Sequence, residues 1–136
     1  MFEGKSVESM VGRVNPYSMV RTFDAVIANL EKHPDWVERL SRMLNSEKYP
    51  VTISVAYTAL LKPEALGEEM REQCWQAVRA GTEEARAYGE REKAPDPALP
   101  LLLDVAERLA KLPGPALDRH RADLAAVHEL AAKWKP

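Results

Sequence analysis

Ten prolines divide this 136-residue chain into segments, and their spacing constrains the fold more than any other feature of it. Proline suits the first turn of a helix and breaks a helix interior, so the stretches between prolines bound what each helix can be. Asn15-Pro16 reads as a cap followed by a first helical position. Tyr17, Met19, Val20, Phe23, Val26, Ile27 and Leu30 then recur at helical spacing as far as Lys32. His33 precedes Pro34 and is pushed toward extended geometry, which ends that helix. A second helix is expected from Pro34, with Asp35 in its first turn. It buries Trp36, Val37, Leu40, Met43 and Leu44 and stops at Asn45 in a left-handed conformation.

Residues 50–61 read two ways. Val51, Ile53, Val55 and Tyr57 alternate with Thr and Ser as in a strand, whereas Ile53, Tyr57, Leu60 and Leu61 share one helical face. A lone strand would leave its backbone groups unpaired, so the helix is the expectation. A long charged helix comes next, from Pro63 to about Glu90. Its stripe runs Leu66, Met70, Cys74, Ala77, Gly81, Ala85 and Tyr88, and Trp75 lies roughly a hundred degrees away from it. That helix therefore has two covered sides or shows a tryptophan. Residues 93–100 form a stiff proline-rich connector and the best hinge candidate. Beyond it, Leu101, Leu102, Val105, Leu109 and Leu112 point inward from a helix begun at Pro100. Pro113-Gly114-Pro115 then turns into a last helix reaching Trp134, inward through Leu117, Leu124, Val127 and Ala131. The expectation is an all-α, compact bundle of five or six helices ending in a C-terminal αα-hairpin, a single helical domain over 1–136.

Composition bounds what such a bundle does. At 46% hydrophobic and 29% charged residues the chain can bury a core and is expected to be globular. The formal charge of −2 disfavours a free-standing nucleic-acid binder, which usually carries a basic excess. The longest apolar run, Leu101-Leu102-Leu103, is far short of the roughly 18 residues of a membrane span. With no signal-like start, a cytoplasmic location and no membrane association are expected. Cys74 stands alone, which excludes an internal disulfide and a cysteine-based zinc cage.

Three groups of residues could carry chemistry. Arg121 and His128, seven apart, project from nearly the same side of the final helix. The segment Arg121-Ala-Asp-Leu-Ala-Ala-Val-His128 resembles the signature of the HEPN ribonucleases, an all-α family of similar length with the motif on a late helix. That resemblance implies metal-independent RNA cleavage, with His128 as the acid–base group at the ribose 2′-hydroxyl and Arg121 on the phosphate. It covers these eight residues, and Ala122 stands where that family usually has a polar one. His120 and His128, with Asp123 and Glu129, have metal-ligating side chains. The two histidines are about 12 Å apart along a helix axis, too far for one ion, so core or surface histidines are the better account. Glu68, Glu69 and Glu72 resemble the first half of the magnesium motif of MazG-type pyrophosphohydrolases. The second half would fall on Glu90, Glu92 and Asp96, which are wrongly spaced, so a solvated, ion-paired helix face is the better account.

The favoured reading is a non-catalytic helical interaction or assembly protein, either a homo-oligomer or a small subunit of a larger complex. Trp75, Trp134 and Tyr57 are its expected interface residues, since they offer more large apolar surface than short helices conceal. The alternatives are the HEPN-like endoribonuclease and a helical subunit of a nucleic-acid-handling complex. No cofactor and no metal are expected, and nucleic acid is a partner only within such a complex.

Overall fold

The protein is seen in a computed structural model that describes residues 32–134. The helix expected to begin at Pro16, with its stripe from Tyr17 to Leu30, lies outside them. Among the described residues there are six α-helices, one 3-10 turn at Pro63–Ala65 and no strand. The helices are α1 (Trp36–Ser46), α2 (Val51–Ala59), α3 (Glu68–Glu92), α4 (Leu99–Ala110), α5 (Pro115–Arg119) and α6 (Arg121–Lys133). They form the all-α bundle that the apolar periodicities predict.

Helix α1 starts at Trp36 instead of Pro34, with Asp35 as its cap, and Asp35 accepts a 2.9 Å hydrogen bond from Arg39. It runs through Asn45 and ends at Ser46, with Glu47 extended. The expected left-handed stop is therefore corrected: the chain leaves α1 through extended backbone, which needs no residue tolerant of positive φ. Trp36 and Leu40 are buried, while Val37, Met43 and Leu44 pack partly buried against the core.

The ambiguous segment is helical, and its composition explains its place. Thr52, Ile53, Val55, Ala56, Tyr57, Thr58 and Ala59 are all buried, so α2 is covered nearly all round. A helix without a polar face belongs inside a bundle. Its β-branched residues are poor helix formers alone, and burial overrides that preference. The Thr58 hydroxyl is satisfied within its own helix, donating to the Ser54 carbonyl at 2.9 Å.

Helix α3 is the axis of the molecule and packs against each of the other five. The expected stripe is buried from Met70 through Cys74, Ala77, Gly81 and Ala85, while Tyr88 is half-buried. A second buried face runs through Trp75, Val78, Thr82 and Gly89. Of the two alternatives, two covered sides is the one realised. Glu68 and Glu69 sit in its first turn, favourable to the helix dipole, and Lys93 closes it in the left-handed conformation at φ 57°.

Within the connector, the buried Asp96 accepts a hydrogen bond from the Ala98 N–H at 2.8 Å. This Asx-type contact leads into α4, with Pro100 in its first turn. Leu102, Val105 and Leu109 are buried as expected, joined by Leu99 and Ala106. The single last helix is corrected to two, α5 and α6, broken at His120. No proline or glycine stands there. The break comes from the backbone of His120, at φ −113° and ψ 19°, whose N–H is shared between the Ala116 and Leu117 carbonyls. It shifts the phase of the α6 stripe. Val127 and Leu130 are buried, and Ala131 is only half-buried. Helices α4 and α6 pack together, giving the C-terminal αα-hairpin.

Gly81 marks the tightest approach to α3. A Cβ there would stand 2.9 Å from the Tyr49 ring and 3.1 Å from Leu102. Gly→Ala inside a helix ordinarily stabilises by about 0.5–1 kcal/mol. Here overpacking against a rigid ring, typically about 1–3 kcal/mol, outweighs that gain. Gly81→Ala should lower stability, measured as the midpoint of urea unfolding.

Candidate functional site

The densest polar arrangement lies where α3, α5 and α6 meet, and it is built from the α3 acids upward. Glu68 accepts a hydrogen bond from the Ala116 N–H at 3.0 Å, serving an unpaired donor at the start of α5. Arg71 spans from Glu68 to the Pro113 carbonyl, at 3.4 and 3.3 Å. Together they hold the Pro113-Gly114-Pro115 turn. Gly114 has φ 149°, and a Cβ there would collide with the Glu68 carboxylate, so only glycine fits.

One helical turn further along α3, Glu72 receives Arg119 from α5. Arg119 donates through Nε and Nη2 to Oε1 of Glu72, at 2.9 and 2.7 Å. The other oxygen, Oε2, lies 2.6 Å from His120 Nε2. The opposite ring nitrogen, Nδ1, lies 2.6 Å from Asp123 Oδ2 in α6. The imidazole is thus gripped at both nitrogens by carboxylates, one from across the bundle and one from the next turn. Its face lies parallel to the Trp75 indole, with ring centroids 5.8 Å apart and planes 3° apart. The His120 side chain is only 8% exposed. Arg79 of α3 reaches Asp123 Oδ1 at 4.0 Å and ends the series. Hydrogen bonding from His120, and then from Arg119, holds the Glu72 carboxyl below its usual range despite partial desolvation.

The residues singled out in the sequence separate in space. Arg121 and His128 are both exposed on α6. Arg121 donates to Asp118 at 3.1 Å, and His128 makes no hydrogen bond or ion pair with a described residue. The two histidines of α6 and its cap differ sharply, His120 being buried and His128 exposed. Glu68 and Glu72 serve α5 and His120, whereas Glu69, Glu90 and Glu92 are exposed and Asp96 is buried, accepting from the Ala98 N–H. Among the described residues no group of three or more His, Cys, Asp or Glu is placed to hold a metal ion. Cys74 is fully buried, and burial pushes its thiol up to about 12, which keeps it neutral and unreactive.

The expected interface residues divide likewise. Trp75 and Tyr57 are each 1% exposed, so neither offers the free apolar surface expected of it. The reason is packing within the one chain: Trp75 fills the second face of α3 beneath His120. Tyr57 is covered by Arg108, whose guanidinium stands 4.8 Å over the ring. Trp134 differs. It is half-buried beside Gly89, with the Lys133 amine 5.6 Å over its ring. It lines an apolar groove of about 410 Å³ with Pro95, Pro97, Leu99, Pro100 and Leu103.

The pairing of Glu72 with His120 was not legible in the sequence. The spacing of three between His120 and Asp123 was a local signal for one half of it. Nothing local marks Glu72, 48 positions upstream, as the other half. Comparison with family models, curated proteins and solved structures finds no match to this chain.

The direction of the Glu72 shift sets a pH dependence. A carboxyl held below its unfolded value contributes stability that is present above that value and lost as the pH falls through the folded one. Thermal melting of the native chain should therefore fall as the pH drops below about 5. In Glu72→Gln this acid limb should flatten. At neutral pH the variant should be less stable by roughly 1–3 kcal/mol, because a buried imidazole loses a charged partner.

Proposed function

We propose that this chain is a non-catalytic helical interaction or assembly protein, acting as a homo-oligomer or as a small subunit of a larger complex. The observation that carries this reading is the apolar groove at the end of the bundle, between the proline-rich connector and Trp134. Three of its lining residues are prolines, whose backbone is already restricted, so less conformational entropy is lost there when a protein surface settles on them. Tryptophan at the rim of such a groove is the residue type that most often anchors protein association. The polar cluster supports the reading in a second way. Both nitrogens of His120 are engaged by carboxylates, and the acids of α3 serve the ends of neighbouring helices. Its side chains are spent on holding helices together, with no serine, threonine or thiol nucleophile in the network.

Purified protein at micromolar concentration should sediment as a dimer or larger, or should do so with its partner protein. Trp134→Ala should weaken that association by about 2 kcal/mol, measured at a temperature where circular dichroism shows the variant still fully helical. A strictly monomeric chain that also captures no partner in a Trp134-dependent manner would count against the proposal. Cleavage of single-stranded RNA without metal, lost in both Arg121→Ala and His128→Ala at unchanged stability, would replace it with the nuclease.

A further inference from the structure

We propose that Glu72, His120 and Asp123 form a proton-held latch that fastens α5 and α6 to α3, closed when both imidazole nitrogens carry protons and loosened when one is lost. The argument is one of hydrogen-bond counting. A neutral imidazole has one N–H and one lone pair, and an ionised carboxylate only accepts. With carboxylate oxygens 2.6 Å from both Nδ1 and Nε2, either neutral tautomer sets a lone pair against a carboxylate oxygen. The doubly protonated ring satisfies both contacts at once. Glu72 is ionised in this arrangement, since Arg119 takes its other oxygen and Gln76 donates to the same one as His120, at 3.3 Å.

The groups facing the ring come from every element packed on it: Glu72 and Arg79 from α3, Arg119 from α5 and Asp123 from α6. In space they run Arg119, Glu72, His120, Asp123, Arg79. The charges alternate without interruption when the imidazole is positive and leave two carboxylates about a neutral ring when it is not. The stacked Trp75 presents its negative π-face to the same positive ring. Position makes this a latch and not merely a buried ion pair. His120 is the break between α5 and α6, and Glu72 reaches it from across the bundle, so losing the proton weakens the joint at which the last two helices meet α3. The inference stands apart from the proposed interaction role and holds whether or not that role does.

The test uses the full chain labelled with ¹⁵N-histidine. Long-range ¹H–¹⁵N correlation at about pH 6 should show both His120 nitrogens protonated. Raising the pH until the same spectra show one His120 nitrogen deprotonated should speed amide exchange in α6, corrected for intrinsic rate, by about tenfold or more relative to α4, the loss expected when a charge-assisted hydrogen bond fails. In His120→Gln, which has no proton to lose there, that change should vanish. A single protonated nitrogen on His120 at the lower pH would overturn the latch. So would α6 exchange in the native chain that does not change once that proton is lost. Both readings come from the native chain and survive a variant that does not fold.

Discussion

Everything in this bundle depends on one helix having two faces to bury. α3 carries charge along much of its length, yet it packs on each of the other five described helices. It does so with small residues on one side, Cys74, Ala77, Gly81 and Ala85, which let Tyr49 and Leu102 come close. On the other side it places one large residue, Trp75, which fills the space beneath α5 and α6. A close backbone approach and a large aromatic plug are different answers to the same packing demand. Together they let a helix 25 residues long serve as a spine without being hydrophobic all round.

The polar network is a consequence of that arrangement. Covering Trp75 requires the chain to cross α3, and it crosses at the junction of α5 and α6, where helix ends expose backbone donors and acceptors. Glu68 meets the start of α5, and Glu72 meets its end through Arg119 and His120. Burial of a histidine costs free energy unless its nitrogens are satisfied. Here each is satisfied by a carboxylate, so the cost is offset by partners that also locate the last two helices. The same features make the joint responsive to protons.

The expected interface turned on exposure, and exposure is what packing changed. Off its stripe on a helical wheel, Trp75 left open a second covered side or an exposed tryptophan, and the packing of α5 and α6 made it the first. Tyr57 sits in a helix that the bundle encloses, under Arg108. Trp134 alone of the three keeps apolar surface, because it stands at the end of α6 where no further described helix covers it. Likewise the expected pair of Arg121 with His128 shares a helix side but leaves both in solvent, while the neighbouring His120 is drawn inside.

What the sequence determined by itself was local: that these segments are helical, which side of most of them is apolar, and that 50–61 prefers a helix over an unpartnered strand. The helix ends shifted, with α3 beginning at Glu68 instead of Pro63. Proline positions and 3.6-residue periodicity are properties of adjacent residues, so they survive being read without a fold. What only the tertiary structure decided was everything that joins residues far apart. The second face of α3, the break at His120 with its shift of the α6 stripe, and the grip of Glu72 on an imidazole 48 positions away arise from packing. A carboxylate on a charged helix looks the same in sequence whether it meets water or a buried ring, and the difference is made by which helix crosses over it.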